Sequence, residues 1–190
     1  MKVVLFCGGL GTRIREYSEA IPKPMVPVGH QPIMCHVMQY YSQYGHDDFI
    51  LCLGYKAKVI KDYFLHYNEC VSNNFVLTGG GKEVSLLSSD IDDWKITFVD
   101  TGHGACIGER LRAVEPFVKN EERFLANYTD GLSNVHLPDI VDFHQKHHSV
   151  ATFVAVKPTQ SFHAVSMSPD GNVHQIQAIA ETDTWMNGGY

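Results

Sequence analysis

No stretch of this 190-residue chain approaches the ~20 consecutive apolar residues that a membrane-spanning helix requires. Only four apolar residues, Val3 to Phe6, separate Lys2 from the glycines that follow, too few for the apolar core of a signal peptide. Excess basic charge is lacking too: 15 Lys and Arg stand against 21 Asp and Glu, a formal net charge of −6. Such a field argues against an extended nucleic-acid surface, so an anionic ligand has to be held by a local cluster of cations. The five cysteines, Cys7, Cys35, Cys52, Cys70 and Cys106, are odd in number and contain no C-x-x-C pair. Neither a disulfide framework nor a zinc knuckle is suggested, and reduced, mostly buried thiols fit better. Eleven histidines supply no H-E-x-x-H pattern, and His144, His147 and His148 read as a surface helix end. A soluble, cytoplasmic protein without a nucleic-acid or membrane partner is expected.

What is present is an alternation of two periods. "KVVLF", "FILCLG" and "RFLANYTDG" are short buried-strand runs, while "PIMCHVMQYYSQYG", "KAKVIKDYFLHY" and "LPDIVDFHQKHH" place apolar residues at helical spacing. "IGERLRAVEPFV" reads as a helix that stops at Pro116, and residues 73–99 read as a hairpin and a further strand. "VATFVAVKP", "HAVSMS" and "VHQIQAI" read as closing strands, the last two joined by the turn "PDGN". Strands separated by helices of ~10–15 residues require crossover connections. The fold class is therefore α/β, a Rossmann-like, mixed but mostly parallel sheet with helices on both faces, in one domain spanning 1–190. Ligands of such sheets lie beyond the carboxyl ends of the strands. That rule predicts one cleft for the loops after Phe6 and Leu53, the "VDTG" at 99–102, and Asp130.

The loop after the first strand, "CGGLGTRIREYSEAIPKP", carries the chemistry. Its glycines let a ligand approach the main chain, and Arg13, Arg15 and Lys23 are the donors a phosphate needs. A dinucleotide fingerprint fits poorly, because its third glycine falls on Ile14, and no G-K-S/T completes a P-loop.

A glycine-rich loop with an arginine, followed by a P-K-P lysine, closely resembles the signature of the sugar-1-phosphate nucleotidyltransferases. The resemblance continues through "KPMVPVGHQPIMCHVM", "VDTG", "GERL", "NYTDG" and "WMNGGY" and covers essentially the whole chain. The segments around "LCLGYK" and "VDTG" look most like glucose-1-phosphate cytidylyltransferases. The resemblance implies transfer of a nucleotidyl group from a nucleoside triphosphate, first CTP, to a sugar 1-phosphate, first glucose 1-phosphate, with release of pyrophosphate. It implies that Gly8, Gly9, Gly11 and Thr12 approach the nucleotide, that Arg13 holds its outer phosphates, and that Lys23 meets the α-phosphate. Arg110 matches an arginine aimed at the triphosphate, with a solvated helix arginine as the alternative. Asp130 matches the aspartate that holds Mg2+, a cation that takes one or two carboxylates and fills its other positions with phosphate oxygens and water.

Two departures stand out. Where the family has Glu-Lys-Pro, this chain reads Gln177-Ala178-Ile179-Ala180, so the lysine that meets the sugar phosphate is missing. Lys157 is the candidate replacement, beside Asn187 and Gly188 of "NGG". The chain also ends at Tyr190, so the family's C-terminal segment, with its second metal aspartate, is expected to be absent. Two alternatives follow, a binding protein without turnover and a glycosyltransferase of related fold. The latter needs a D-x-D metal motif, and only Asp90-Ile91-Asp92 has that spacing. A homo-oligomer is expected.

Overall fold

The computed structural model describes residues 1–8 and 21–189. The apolar run after Met1 forms β1 (Lys2–Phe6), in which Val3, Val4 and Leu5 are fully buried. A small hairpin of β2 (Pro27–Val28) and β3 (Gln31–Pro32) leads into α1 (Ile33–Ser42), which stops before Gly45 at a positive φ of 74°. Then come β4 (Asp48–Leu53), α2 (Ala57–Leu65), the hairpin of β5 (Phe75–Thr78) and β6 (Glu83–Leu86), and β7 (Lys95–Asp100). The chain continues through α3 (Ile107–Val118), β8 (Leu125–Tyr128) and α4 (Leu137–His147). It ends with β9 (Ala155–Val156), β10 (His163–Met167), β11 (Val173–Ala178) and β12 (Met186–Asn187).

β7, β4, β1 and β8 lie side by side in that order, every pair parallel, as crossover helices require. Alternation along the strands sends residues to two buried faces. On one, Val4, Phe6, Ile50 and Cys52 pack with Val114 and Val118 of α3. On the other, the ring of Phe98 meets Phe64 of α2, centroids 5.8 Å apart, and Leu5, Phe49, Leu51 and Leu53 are fully buried. Each such side chain contributes roughly 1.5–3 kcal/mol on burial, so this sheet is the rigid platform beneath the site.

The helix α3 runs through Pro116 and ends two residues later, beyond the expected stop. Proline removes only the bond to the carbonyl of Arg112, which lies on the exposed side, while Val118 draws the last turn into the core. "VATFVAVKP" yields only the two-residue strand β9, because β12 pairs with Ala155 and Val156 alone.

The residues group into two compact units, Met1–Leu137 and Pro138–Tyr190. The parallel sheet lies in the first. In the second, β10 and β11 form an antiparallel hairpin whose turn uses Gly171 at a φ of 89°, and β9 pairs antiparallel with β12. No helix among the described residues is long and apolar enough to cross a membrane.

Candidate functional site at the carboxyl edge of the sheet

Parallel register brings the strand ends of the first unit to one edge. Phe6 pairs with Cys52 and Tyr128, and Leu53 pairs with Asp100, so the segments that leave these strands emerge together. They are also bonded together: Cys7 N–H donates to Cys52 C=O at 3.1 Å, Thr101 N–H to Leu53 C=O at 3.0 Å, and the buried Thr129 hydroxyl to Phe6 C=O at 3.1 Å.

Arg110 projects into this edge from α3. It sits on the stripe of Ile107, Leu111, Val114 and Val118, and so is carried toward the sheet and left only 1% exposed. Its Nη1 donates to Thr101 Oγ1 at 2.6 Å and to Leu53 C=O at 3.2 Å. No carboxylate among the described residues pairs with it, and the solvated alternative does not describe it. A Cβ placed on Gly8 would lie 2.2 Å from this guanidinium, and one on Gly54 would lie 2.9 Å from it. These two glycines are needed because an arginine fills the space where side chains would stand. Burial pushes the nearby Cys52 thiol up to about 11, with the Arg110 charge opposing the shift.

Lys23 opens a single 3-10 turn, Lys23–Met25, directly after Pro22, and Pro24 and Met25 of that turn are buried. Proline on either side restricts the backbone and holds this lysine in place. Its ammonium lies 3.3 Å from Oδ2 of Asp130, two residues past the end of β8. The carboxylate is 44% exposed. A hard oxygen donor, open to solvent and already facing a cation, has the chemistry to hold Mg2+. Among the described residues no group of three or more metal-ligating side chains occurs.

The edge of β8 also carries the two buried polar atoms without a partner among the described residues, Nδ2 and Oδ1 of Asn127. The D-x-D candidate lies elsewhere. Asp90 accepts hydrogen bonds from Gln31 at 2.8 Å, Tyr67 at 2.9 Å and Asn73 at 2.9 Å, so its oxygens tie the β5–β6 segment to β3. That use leaves it poorly suited to a metal.

The chain belongs to the nucleotidyl transferase family. The family profile matches residues 2–181. A glucose-1-phosphate cytidylyltransferase of Salmonella typhi is 40% identical over 192 residues, covering all of this chain and 74% of the relative. A mannose-1-phosphate guanyltransferase of Yarrowia lipolytica is 27% identical over 158 residues, covering 83% of this chain and 38% of the relative. In three dimensions a UDP-glucose pyrophosphorylase, solved with UDP-glucose, superposes with a TM-score of 0.63 at 15% identity, covering 99% of this chain and 73% of that one. This likeness supports the α/β nucleotidyltransferase fold.

Within the family's frame, Gly8, Lys23, Arg110 and Asp130 all lie at the carboxyl edge of the sheet. Gly9, Gly11, Thr12 and Arg13 lie outside the described residues. In the second unit, Gly188 N–H donates to Val154 C=O at 2.8 Å, and a Cβ on Gly188 would come within 3.0 Å of that oxygen. Asn187 lies in β12 opposite Ala155, and Lys157 follows β9. Sequence reasoning put the segments of Thr101 and Gly54 in the cleft but gave neither residue its part there: Thr101 accepts from the guanidinium, and Gly54 leaves room for it. The available signal was an arginine inside an otherwise apolar helical stripe.

Proposed function

We propose that the chain transfers a cytidylyl group from CTP to glucose 1-phosphate, releasing pyrophosphate. The similarity of this whole chain to 74% of a cytidylyltransferase supports this reading, and one observation carries the chemistry: Lys23 and Asp130 meet at 3.3 Å at the carboxyl edge of the parallel sheet. The phosphate oxygen of the sugar forms a bond to the α-phosphorus of CTP, and the bond from that phosphorus to the bridging oxygen of the pyrophosphate breaks. Negative charge grows on the transferring group, so positioning and neutralisation are the catalytic tasks, and no side-chain nucleophile is needed.

Lys23, fixed between prolines, is assigned to the α-phosphate, and Arg13 with Gly9, Gly11 and Thr12 to the outer phosphates and nucleotide. Gly8 and Arg110 shape the start of that loop, and the guanidinium, which pairs with no carboxylate among the described residues, offers its positive field to the triphosphate. Asp130 would hold Mg2+, which when bound supplies charge neutralisation between the two phosphate-bearing substrates. Lys157, Asn187 and Gly188 are assigned to the sugar phosphate.

We also assign the protein to the cytoplasm, supported by five free thiols. We assign it a homo-oligomeric state, supported by an apolar hairpin face of Phe75, Leu77, Val84 and Leu86, each 40–56% exposed. Light scattering tests the oligomer.

The deciding experiment is pyrophosphate release with CTP, ATP, GTP and UTP against several sugar phosphates. Fastest release with CTP and glucose 1-phosphate supports the proposal. Thermal protection by CTP without any release points to a binding protein instead. Equal protection by all four nucleotides overturns the base assignment.

A further inference from the structure

The unit Pro138–Tyr190 contains two Lys or Arg residues, Lys146 and Lys157. Lys146 lies in the last turn of α4, among carbonyls that already favour a cation. Lys157 is held differently. β9 and β12 pair with Val156 opposite Met186, and extending that antiparallel register by one residue sets Lys157 opposite Trp185. The ammonium lies 4.4 Å from the centroid of the Trp185 ring and donates to Thr182 C=O at 2.9 Å. Asp183 Oδ1 lies 3.4 Å from the ammonium and also accepts from Trp185 Nε1 at 3.3 Å, so one carboxylate oxygen fixes both partners.

The cage orients this cation without neutralising it. Its backbone and indole walls are uncharged. Its one carboxylate is fully exposed, where water and salt screen the attraction. An ammonium has three donors, and among the described residues Thr182 and Asp183 take two of them. Lys157 is 39% exposed, so the third donor is open to a ligand.

Resting on the reading of Lys157 as a sugar-phosphate contact, we propose that Trp185 is a positioning residue: its indole, clamped by Asp183, aims the Lys157 ammonium at the phosphate of the sugar substrate. The cage of 182–185 thus fixes Lys157 as the cation that this chain lacks within Gln177-Ala178-Ile179-Ala180. Trp185 acts through Lys157 and does not itself hold the phosphate.

Steady-state kinetics on the full chain test this. Lys157→Met is expected to raise KM for glucose 1-phosphate about 10–100-fold, as loss of a charge-assisted bond implies, with KM for CTP unchanged. Trp185→Leu is expected to raise the same KM roughly 3–10-fold with kcat nearly unchanged, and Trp185→Phe, which keeps a ring face, to restore most of it. The double variant Trp185→Leu with Lys157→Met is expected to match Lys157→Met alone. Additive effects mean that the indole meets the substrate directly and overturn the proposal.

The Lys157 ammonium signal in 1H–15N spectra gives a second readout, independent of turnover. Glucose 1-phosphate is expected to shift it in the wild type, and to shift it far less in Trp185→Leu. A wild type that responds to glucose 1-phosphate while its Lys157 signal stays still overturns this proposal alone. A wild type with neither turnover nor any response to glucose 1-phosphate overturns the functional reading as well.

Discussion

Lys23 and Asp130 lie 107 residues apart in the chain, yet the ammonium of one stands 3.3 Å from the carboxylate of the other. Their side chains are 24% and 44% exposed, and an ion pair so open to water contributes at most about 1 kcal/mol to stability. The pair therefore does little for the fold. It holds two opposite charges at the strand ends, where, in the proposed function, phosphates and a divalent cation part them.

The first prediction concerns the lysine. In the proposed reaction, Lys23→Ala removes a charge assigned to the transferring phosphoryl group more than to the ground state. Turnover is expected to fall about 10²–10³-fold, the cost of losing one preorganised electrostatic group. The melting temperature is expected to move by only a few degrees. Normal turnover in this variant would remove Lys23 from the chemistry. The lysine also competes with any cation for Asp130. Lys23→Met is therefore expected to bind free Mn2+ more tightly than the wild type, read by the loss of the free-ion signal in electron paramagnetic resonance.

The second is the glycine–arginine contact. Gly8→Ala drives a methyl group into the buried Arg110 guanidinium, which has to leave its bonds to Leu53 and Thr101. Displacing a buried, hydrogen-bonded charge costs about 2–4 kcal/mol. At about 2–4 °C per kcal/mol for a chain of this size, thermal denaturation is expected near 10 °C lower. Combining Gly8→Ala with Arg110→Met, whose flexible and uncharged side chain yields, should recover part of the loss. Full additivity of the two substitutions would show that the contact is not the cause.

Why some of this was legible in the sequence is a matter of range. The strand ends, and with them Lys23 and Asp130 at one edge, follow from buried runs and from the rule that parallel strands open their ligand sites at their carboxyl ends. The burial of Arg110 was half-legible: its spacing from Ile107, Val114 and Val118 puts it on the core stripe, but arginine is normally read as exposed. Lys157 and Trp185 were not legible as a pair, because their meeting depends on the register of a two-residue ladder. Nor was the role of Asp90, whose partners Gln31, Tyr67 and Asn73 come from separate elements.

The third prediction concerns Asp130. Asp130→Asn keeps the size and turn propensity of the residue but removes the charge that a hard cation requires. The variant is expected to stay folded, since the side chain is exposed and its ion pair weak. A CTP titration with Mg2+ and again with chelator should show metal-strengthened binding in the wild type and none in the variant. Equal strengthening in both would reduce Asp130 to a turn residue.

The last prediction follows from Asp90. Burial raises its carboxyl, but hydrogen bonds from Asn73, Tyr67, Ser72 and Gln31 outweigh that effect and hold it below the ordinary value. The sign follows directly. A carboxyl depressed in the folded state stabilises the protein above its unfolded pKa, about 3.9, and loses that contribution as pH falls through the lower folded value. Asp90→Asn keeps one oxygen acceptor but loses the charge, so at pH 7 it is expected to melt below the wild type. The gap should hold from pH 7 to about 5, then close below about pH 4 as the wild-type carboxylate takes up its proton. Because Asp90 ties the β5–β6 segment to β3, protease cleavage within residues 75–86 is expected to quicken in the variant at pH 7. A melting difference that stays constant down to pH 2.5 would show that Asp90 holds this segment by shape alone, without its charge.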